Sequence, residues 1–175
     1  MLTLKQIEAH YPENLKSFKE SILREYLQYK ILEIIFNSEL SHKLSFLGGT
    51  ALRIVYNNAR FSEDLDFDNF NLSKEEFVFL SQEIEKELSR LGAKVEVKNV
   101  FKGGFRCYIK LPEVLYENKL SQLRDQKILI QIDTAPHDFD YQREAKIINK
   151  FDVFTKIFVT PEDILLSQKI YSIFN

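Results

Sequence analysis

Apolar residues recur at helical spacing through the first quarter of the chain. Between Glu13 and Phe36, one stripe runs through Phe18, Ile22, Tyr26, Tyr29 and Glu33. Leu15, Leu23, Leu27, Ile31 and Ile34 widen it into a broad apolar side. The spacing predicts a core-facing amphipathic helix. The pattern then changes. Leu44 to Leu47 is a short apolar run that ends at Gly48-Gly49, and it reads as a buried strand entering a tight turn. Thr50 is placed to cap a following helix through Tyr56. Leu65 and Phe67 alternate with Asp64, Asp66 and Asp68, which is the period-2 signature of a strand.

Further along, Ser73-Lys74-Glu75-Glu76 is a capping box opening a helix that ends near Leu91, with Gly92 after it. Val95, Val97 and Val100, then Phe105, Cys107, Ile109 and Leu111, flank Lys102-Gly103-Gly104 and predict a β-hairpin. Lys127 to Ile132 predicts a strand with Asp133 at its end, after which Thr134-Ala135-Pro136 turns the chain away. Phe151 to Val159 predicts one more strand. Thr160 as N-cap and Pro161 at the first helical position start a last helix toward Asn175. The order helix, strand, helix, strand, helix, hairpin, strand, strand, helix implies an α+β fold, a mixed sheet with flanking helices.

Composition narrows the classes. A chain of 175 residues suits one domain, and 45% hydrophobic residues suffice for a core at that size. We divide it into an N-terminal helical region (1–40), a catalytic core (44–160) and a C-terminal helix (161–175). A net charge of −2 argues against an indiscriminate nucleic-acid coat, though not against a local basic groove. A lone cysteine, Cys107, forbids an internal disulfide and fits a reducing compartment. Charges interrupt every apolar run well before a membrane span, and Met1 to Lys5 lacks the apolar core of a secretory signal. The expected location is cytoplasmic.

The residues that carry chemistry lie between Phe46 and Asp68. Two adjacent glycines at a strand-to-helix turn let backbone N–H groups approach a ligand, and a helix start beside them favours an anion. Gly48, Gly49 and Thr50 thus make a seat for a triphosphate, or else a purely structural turn. Asp64 and Asp66 fall on one face of their strand, about 6.6 Å apart along it. At an effective separation near 5 Å, two such charges repel by about 3 kcal/mol at a dielectric of about 20. A divalent cation such as Mg²⁺, which takes hard carboxylate oxygens and substrate phosphates, relieves that repulsion. The alternative is a solvated acidic edge. Asp133, closing an apolar strand, is the candidate third acid, and Asp68 is its rival.

These residues resemble a family. Gly48-Gly49-Thr50-Ala51-Leu52, followed by Arg60-Phe61-Ser62-Glu63-Asp64-Leu65-Asp66-Phe67, looks like the signature of the AbiEii/AbiGii-type toxin nucleotidyltransferases, within the DNA polymerase β-like superfamily. Pro161 to Ile170 is similar to that family's later Asp-x5-Lys helix, with Asp163 and Lys169 in the matching places. The resemblance implies that Asp64, Asp66 and Asp133 bind Mg²⁺, in a one- or two-metal site, and that Gly48, Gly49 and Thr50 hold the phosphates of an NTP. It implies that Arg60 and Ser62 contact the nucleotide or orient the acids, and that Lys169 neutralises triphosphate charge. It also implies transfer of NMP to an acceptor, with RNA such as tRNA as one target, a toxin–antitoxin or phage-defence setting, and a separately encoded antitoxin. Members of the family continue into a second, helical half. On this reading 161–175 starts a half that the chain lacks, which touches acceptor binding more than metal binding.

Two other functions fit the same residues: a catalytically inactive module of this fold that binds RNA or an antitoxin, and a kinase-like phosphotransferase. Other chemistries find no support. His10, His42 and His137 have no partner at zinc-ligand spacing. Neither a Gly-x-Ser-x-Gly elbow nor a Gly-x4-Gly-Lys-Ser/Thr loop occurs. Lys94, Lys98, Lys102, Arg106 and Lys110 gather around the predicted hairpin, where they form either a phosphate-tracking row or a solvated face.

Overall fold

The computed structural model describes residues 1–136 and 141–167. A capping box of Thr3 and Gln6 starts α1 (Leu4–Glu8), and a 3-10 turn at Glu13–Leu15 precedes α2 (Lys19–Asn37). The helix expected from Glu13 therefore begins six residues later. Phe18 sits non-helically at its N-cap and packs its ring near Phe61. α2 is buried on more than one side: Ile22, Tyr26, Leu27 and Ile31 are nearly inaccessible, but so are Glu25 and Gln28. A helix so enclosed is a central core element rather than a surface one.

β1 (Leu44–Leu47) runs straight into α3 (Gly48–Ile54), and β2 (Leu65–Asn69) follows. The Ser73–Glu76 capping box opens α4 (Lys74–Arg90) as expected. The hairpin is β3 (Glu96–Phe101) and β4 (Phe105–Pro112). After the short α5 (Val114–Glu117) come β5 (Lys127–Pro136), β6 (Glu144–Lys150) and β7 (Val153–Val159). Residues 162–167 are helical, and the rest of the expected last helix lies outside the described residues.

Seven strands form one mixed sheet in the order β3-β4-β5-β2-β1-β7-β6. The pairs β2–β5 and β1–β7 are parallel and the other neighbours antiparallel. Phe46 pairs with both Phe67 and Val159 in register, and all three are buried on the face that receives α2. Alternation then sends Ser45, Asp66 and Asp68 to the opposite face. The α+β class with a mixed sheet and flanking helices is as read from the pattern.

Three expectations need correction. β5 does not stop at Ile132; it continues to Pro136, because each of Asp133 to Pro136 finds a parallel partner in Asp66 to Asn69. β6 was not anticipated. Its apolar residues, Ile147 and Ile148, are adjacent rather than alternating, and only Ile148 is buried. The strand expected from Phe151 begins at Val153, since Phe151 turns the β6–β7 hairpin with φ +61°. Its ring meets Tyr26 and Tyr29 edge-on, at 5.3 and 5.2 Å between centroids. Among the described residues no helix is long and apolar enough to cross a membrane.

Candidate functional site

The turn after β1 and the segment before β2 interlock residue by residue. Gly48 has φ +80°, and a Cβ there would overlap the Asp66 carboxylate. Glycine is thus required both by the left-handed backbone and by the close approach. A Cβ on Gly49 would come within 2.9 Å of Ser62 Oγ. Thr50 is fully buried, and its hydroxyl donates a short hydrogen bond to the Asp64 carbonyl oxygen. The expectation that Thr50 caps the helix changes accordingly. α3 begins at Gly48 with Leu47 at the N-cap, so Thr50 lies inside the helix. Its hydroxyl ties the helix to the acid segment.

Two further side chains hold that segment, and sequence reading missed both roles. Gln28, 1% exposed on α2, donates through Nε2 to the carbonyls of Ser62 at 3.0 Å and Glu63 at 2.9 Å. Arg53 on α3 donates to the Asn58 and Ala59 carbonyls and lies over the Phe61 ring. Arg53 is fixed in turn by Glu25, which also accepts from Lys150 at 2.6 Å and Tyr11 at 2.7 Å. A glutamine and a glutamate inside an otherwise apolar helix face were the available signals, since buried polar groups require partners. Arg60 is exposed, and its guanidinium makes no hydrogen bond or ion pair with the described residues.

The acids converge where β2 lies beside β5. Asp66 and Asp133 are direct partners in the parallel register, so their side chains leave the sheet on the same face. Asp64 precedes β2 by one residue. Burial, then the charges of Asp133 and Glu63, raise its carboxyl above the usual range, while a backbone hydrogen bond from Gln131 draws it back. Asp66 is pushed up to about 6, by burial first and by Asp133 and Asp64 after it. Both shifts have the physical origin expected of crowded, half-sheltered carboxylates.

Asp68 is occupied differently. It is buried and accepts from the Tyr141 hydroxyl at 2.6 Å. That hydroxyl also meets Thr160 Oγ1 at 2.8 Å, and Ser45 Oγ lies 3.1 Å beyond. Burial, with Asp68 beside it, pushes Tyr141 up to about 12. The Thr160 hydroxyl, expected as the N-cap of the last helix, joins this network.

Asp133 has both oxygens engaged. Oδ1 accepts from Arg106 Nε at 2.5 Å and Oδ2 from Gln131 Nε2 at 2.5 Å. Arg106 is the register partner of Asp133 across β4–β5, so Asp133 stands between an acid on one side and a cation on the other. Among the described residues no group of three His, Cys, Asp or Glu side chains is positioned to hold a metal ion. The donor chemistry nevertheless suits a hard divalent cation: carboxylate oxygens crowded enough to keep a proton on Asp66 well above its ordinary range.

A cleft of about 400 Å³ opens over Asp66, Asp68 and Asp133, between Leu47 and the β3–β4 hairpin tip. Asp66, Asp133, Arg106 and Lys102 line it, and that volume falls in the range of small-ligand sites. Gly104 passes so close to the Thr134 carbonyl that a Cβ would sit 2.8 Å from it, which seats the hairpin against β5. Of the basic row, Lys98 and Lys110 share the Arg106 face by register, whereas Lys94 is paired with Glu113 at 2.7 Å. Asp163 is exposed and receives the backbone N–H of Ile164. Lys169 and His137 lie outside the described residues.

Comparison with known proteins gives a consistent picture. The model of a family described as nucleotidyl transferase AbiEii toxin, type IV toxin–antitoxin system, matches residues 30–171. No curated protein sequence matches the chain. Among solved structures, MenT4, a nucleotidyltransferase toxin of Mycobacterium tuberculosis, superposes with a TM-score of 0.69 at 17% identity, over 97% of this chain and 58% of that one. JHP933 of Helicobacter pylori gives 0.58 at 16% identity, over 86% of this chain and 56% of that one. At such identities the likeness is one of fold, and the chain spans a little over half the length of these proteins.

Proposed function

The chain belongs to the AbiEii family of nucleotidyl transferase toxins, and on that premise we propose that it transfers a nucleoside monophosphate from an NTP to an acceptor hydroxyl. The observation that carries the reading is the register pairing of Asp66 with Asp133 in the wall of a cleft, with Gly48 directly against Asp66 and with Asp64 close enough for its charge to be felt by Asp66. Asp64 and Asp66 would hold Mg²⁺, and Asp133 would join them once its carboxylate leaves Arg106. A divalent cation bound there supplies charge neutralisation at the α-phosphate and at the departing pyrophosphate.

The rest is work for the protein. The Gly48-Gly49 turn and Lys102, exposed at the hairpin tip, receive the negative phosphates. Ser62, beneath Gly49, and Thr50, bonded to Asp64, fix the spacing of turn and acids. Arg60 and Lys169 are cations for the nucleotide and its triphosphate. The acceptor oxygen attacks the α-phosphorus in line, and the bond to the bridging oxygen of pyrophosphate breaks. The hydroxyl proton passes to a carboxylate of the cluster. RNA such as tRNA is the acceptor class, reached along the face of Lys98, Arg106 and Lys110. An antitoxin encoded separately restrains the activity, in a toxin–antitoxin or phage-defence setting in the cytoplasm.

The double substitution Asp64→Ala with Asp66→Ala tests this. It should abolish both transfer of labelled nucleotide and stabilisation of the fold by Mg²⁺–NTP. Retention of either at the unsubstituted level overturns the proposal.

A further inference from the structure

The guanidinium of Arg106 holds the carboxylate of Asp133, the candidate third acid of the cluster. Its Nε is 2.5 Å from Asp133 Oδ1, on the flank of Asp133 opposite to Asp66. Architecture alone does not demand this bond. The β4–β5 ladder pairs residues continuously from Phe105 to Pro112, so backbone hydrogen bonds hold the strands. The Arg106 side chain is 47% exposed, and ion pairs so open to water add little stability. Arg106 also lines the cleft together with Asp66 and Asp133, so it can turn away from Asp133 without leaving the site.

We propose that Arg106 is a positioning residue that competes with a divalent cation for the Asp133 carboxylate. The inference rests on reading the acids as a metal site, and it adds what sets that site's affinity. In the metal-free protein the Arg106 charge compensates Asp133. When a cation is bound, Asp133 exchanges its nitrogen partner for the cation, with Gln131 still holding Oδ2 from the same strand. Loading the site thus includes breaking one ion pair, and the freed guanidinium remains in the cleft as a cation for phosphate.

The test is Mn²⁺ binding followed by electron paramagnetic resonance of the free ion, with no nucleotide present. The unsubstituted protein is compared with Arg106→Gln, Arg106→Lys, Asp66→Asn, Asp133→Asn and Arg106→Gln in the Asp133→Asn background. Circular dichroism melting verifies the fold of each, and Arg106→Met replaces the Gln variant if that one unfolds. Arg106→Gln should bind Mn²⁺ about three- to fivefold more tightly, the upper end of what a half-exposed ion pair contributes. Arg106→Lys should stay within about twofold of the unsubstituted protein, because it keeps a competing charge. The tightening should vanish in the Asp133→Asn background. Unchanged or weaker binding by Arg106→Gln, with Asp66→Asn still abolishing it, overturns the competition but leaves the metal site standing. An equal tightening without Asp133 overturns it as well, since the effect would then be general charge. Absence of Mn²⁺ binding in every variant removes the metal site and the competition together.

Discussion

Gly48 lies directly against the carboxylate of Asp66, leaving no room for a side chain between the first turn of α3 and the acid on β2. The backbone at Gly48, with φ +80°, is one that L residues rarely adopt. Gly48→Ala should therefore combine left-handed strain of about 1–2 kcal/mol with displacement of Asp66. A urea titration of the variant should show that loss, and Mn²⁺ binding should weaken beyond it. An alanine variant with unchanged stability would mean the turn is not built as described.

Gln28 makes a second, less visible demand. Its amide is the side-chain partner of the Ser62 and Glu63 carbonyls, just ahead of Asp64. Gln28→Leu keeps the size and removes both bonds, which should cost about 1–3 kcal/mol. Thermal melting reads the stability, and nucleotide binding should fall further than the melting temperature alone explains.

Glu25 anchors the same region from below. Burial tends to raise its carboxyl, but the charge of Lys150 and the bonds from Lys150, Arg53 and Tyr11 hold it below the ordinary value. A depressed acid stabilises the fold at neutral pH and loses that contribution as pH falls through its folded value. Glu25→Ala should leave the partly buried Lys150 and Arg53 without their counter-charge, at a cost of about 3 kcal/mol by chemical denaturation. The difference between variant and unsubstituted protein should begin to shrink as pH falls below the ordinary 4.5, and go on shrinking until the pH is below the depressed folded value of Glu25.

Asp66 has the opposite sign. Its folded value, about 6, lies above the ordinary 3.8, so the metal-free fold holds this proton longer than the unfolded chain does. Its contribution to stability is complete at low pH and is lost as pH rises from about 4 to about 6. With EDTA present, Asp66→Asn should be more stable than the unsubstituted protein at pH 7, on the order of 1–2 kcal/mol after allowing for solvent screening. The two should converge near pH 4. Equal stability across that range would mean the acids are not crowded.

What could be read from the sequence was local. The period-2 run through Leu65 and Phe67 marks β2, and Ser73 with Glu76 marks the start of α4, because both are short-range patterns with one physical cause each. β6 was invisible, since an edge strand needs only Ile148 in the core and need not alternate. The continuation of β5 was hidden because Thr134-Ala135-Pro136 has turn composition, and only parallel pairing with β2 makes it a strand. In the site, the acids and glycines stood out by type and spacing. The grip of Arg106 on Asp133 did not, because it depends on β4–β5 register, which joins residues 27 positions apart. The tie from Thr50 to the Asp64 carbonyl was hidden for a similar reason.

One measurement bears most directly on the account. The protein is incubated with Mg²⁺, bulk RNA and each of the four NTPs, labelled either at the α- or at the γ-phosphate, alongside Asp66→Asn. The account predicts label on RNA from the α-position only, and a loss of about a hundredfold or more in the variant. Label arriving from the γ-position, or transfer undiminished in Asp66→Asn, would contradict it.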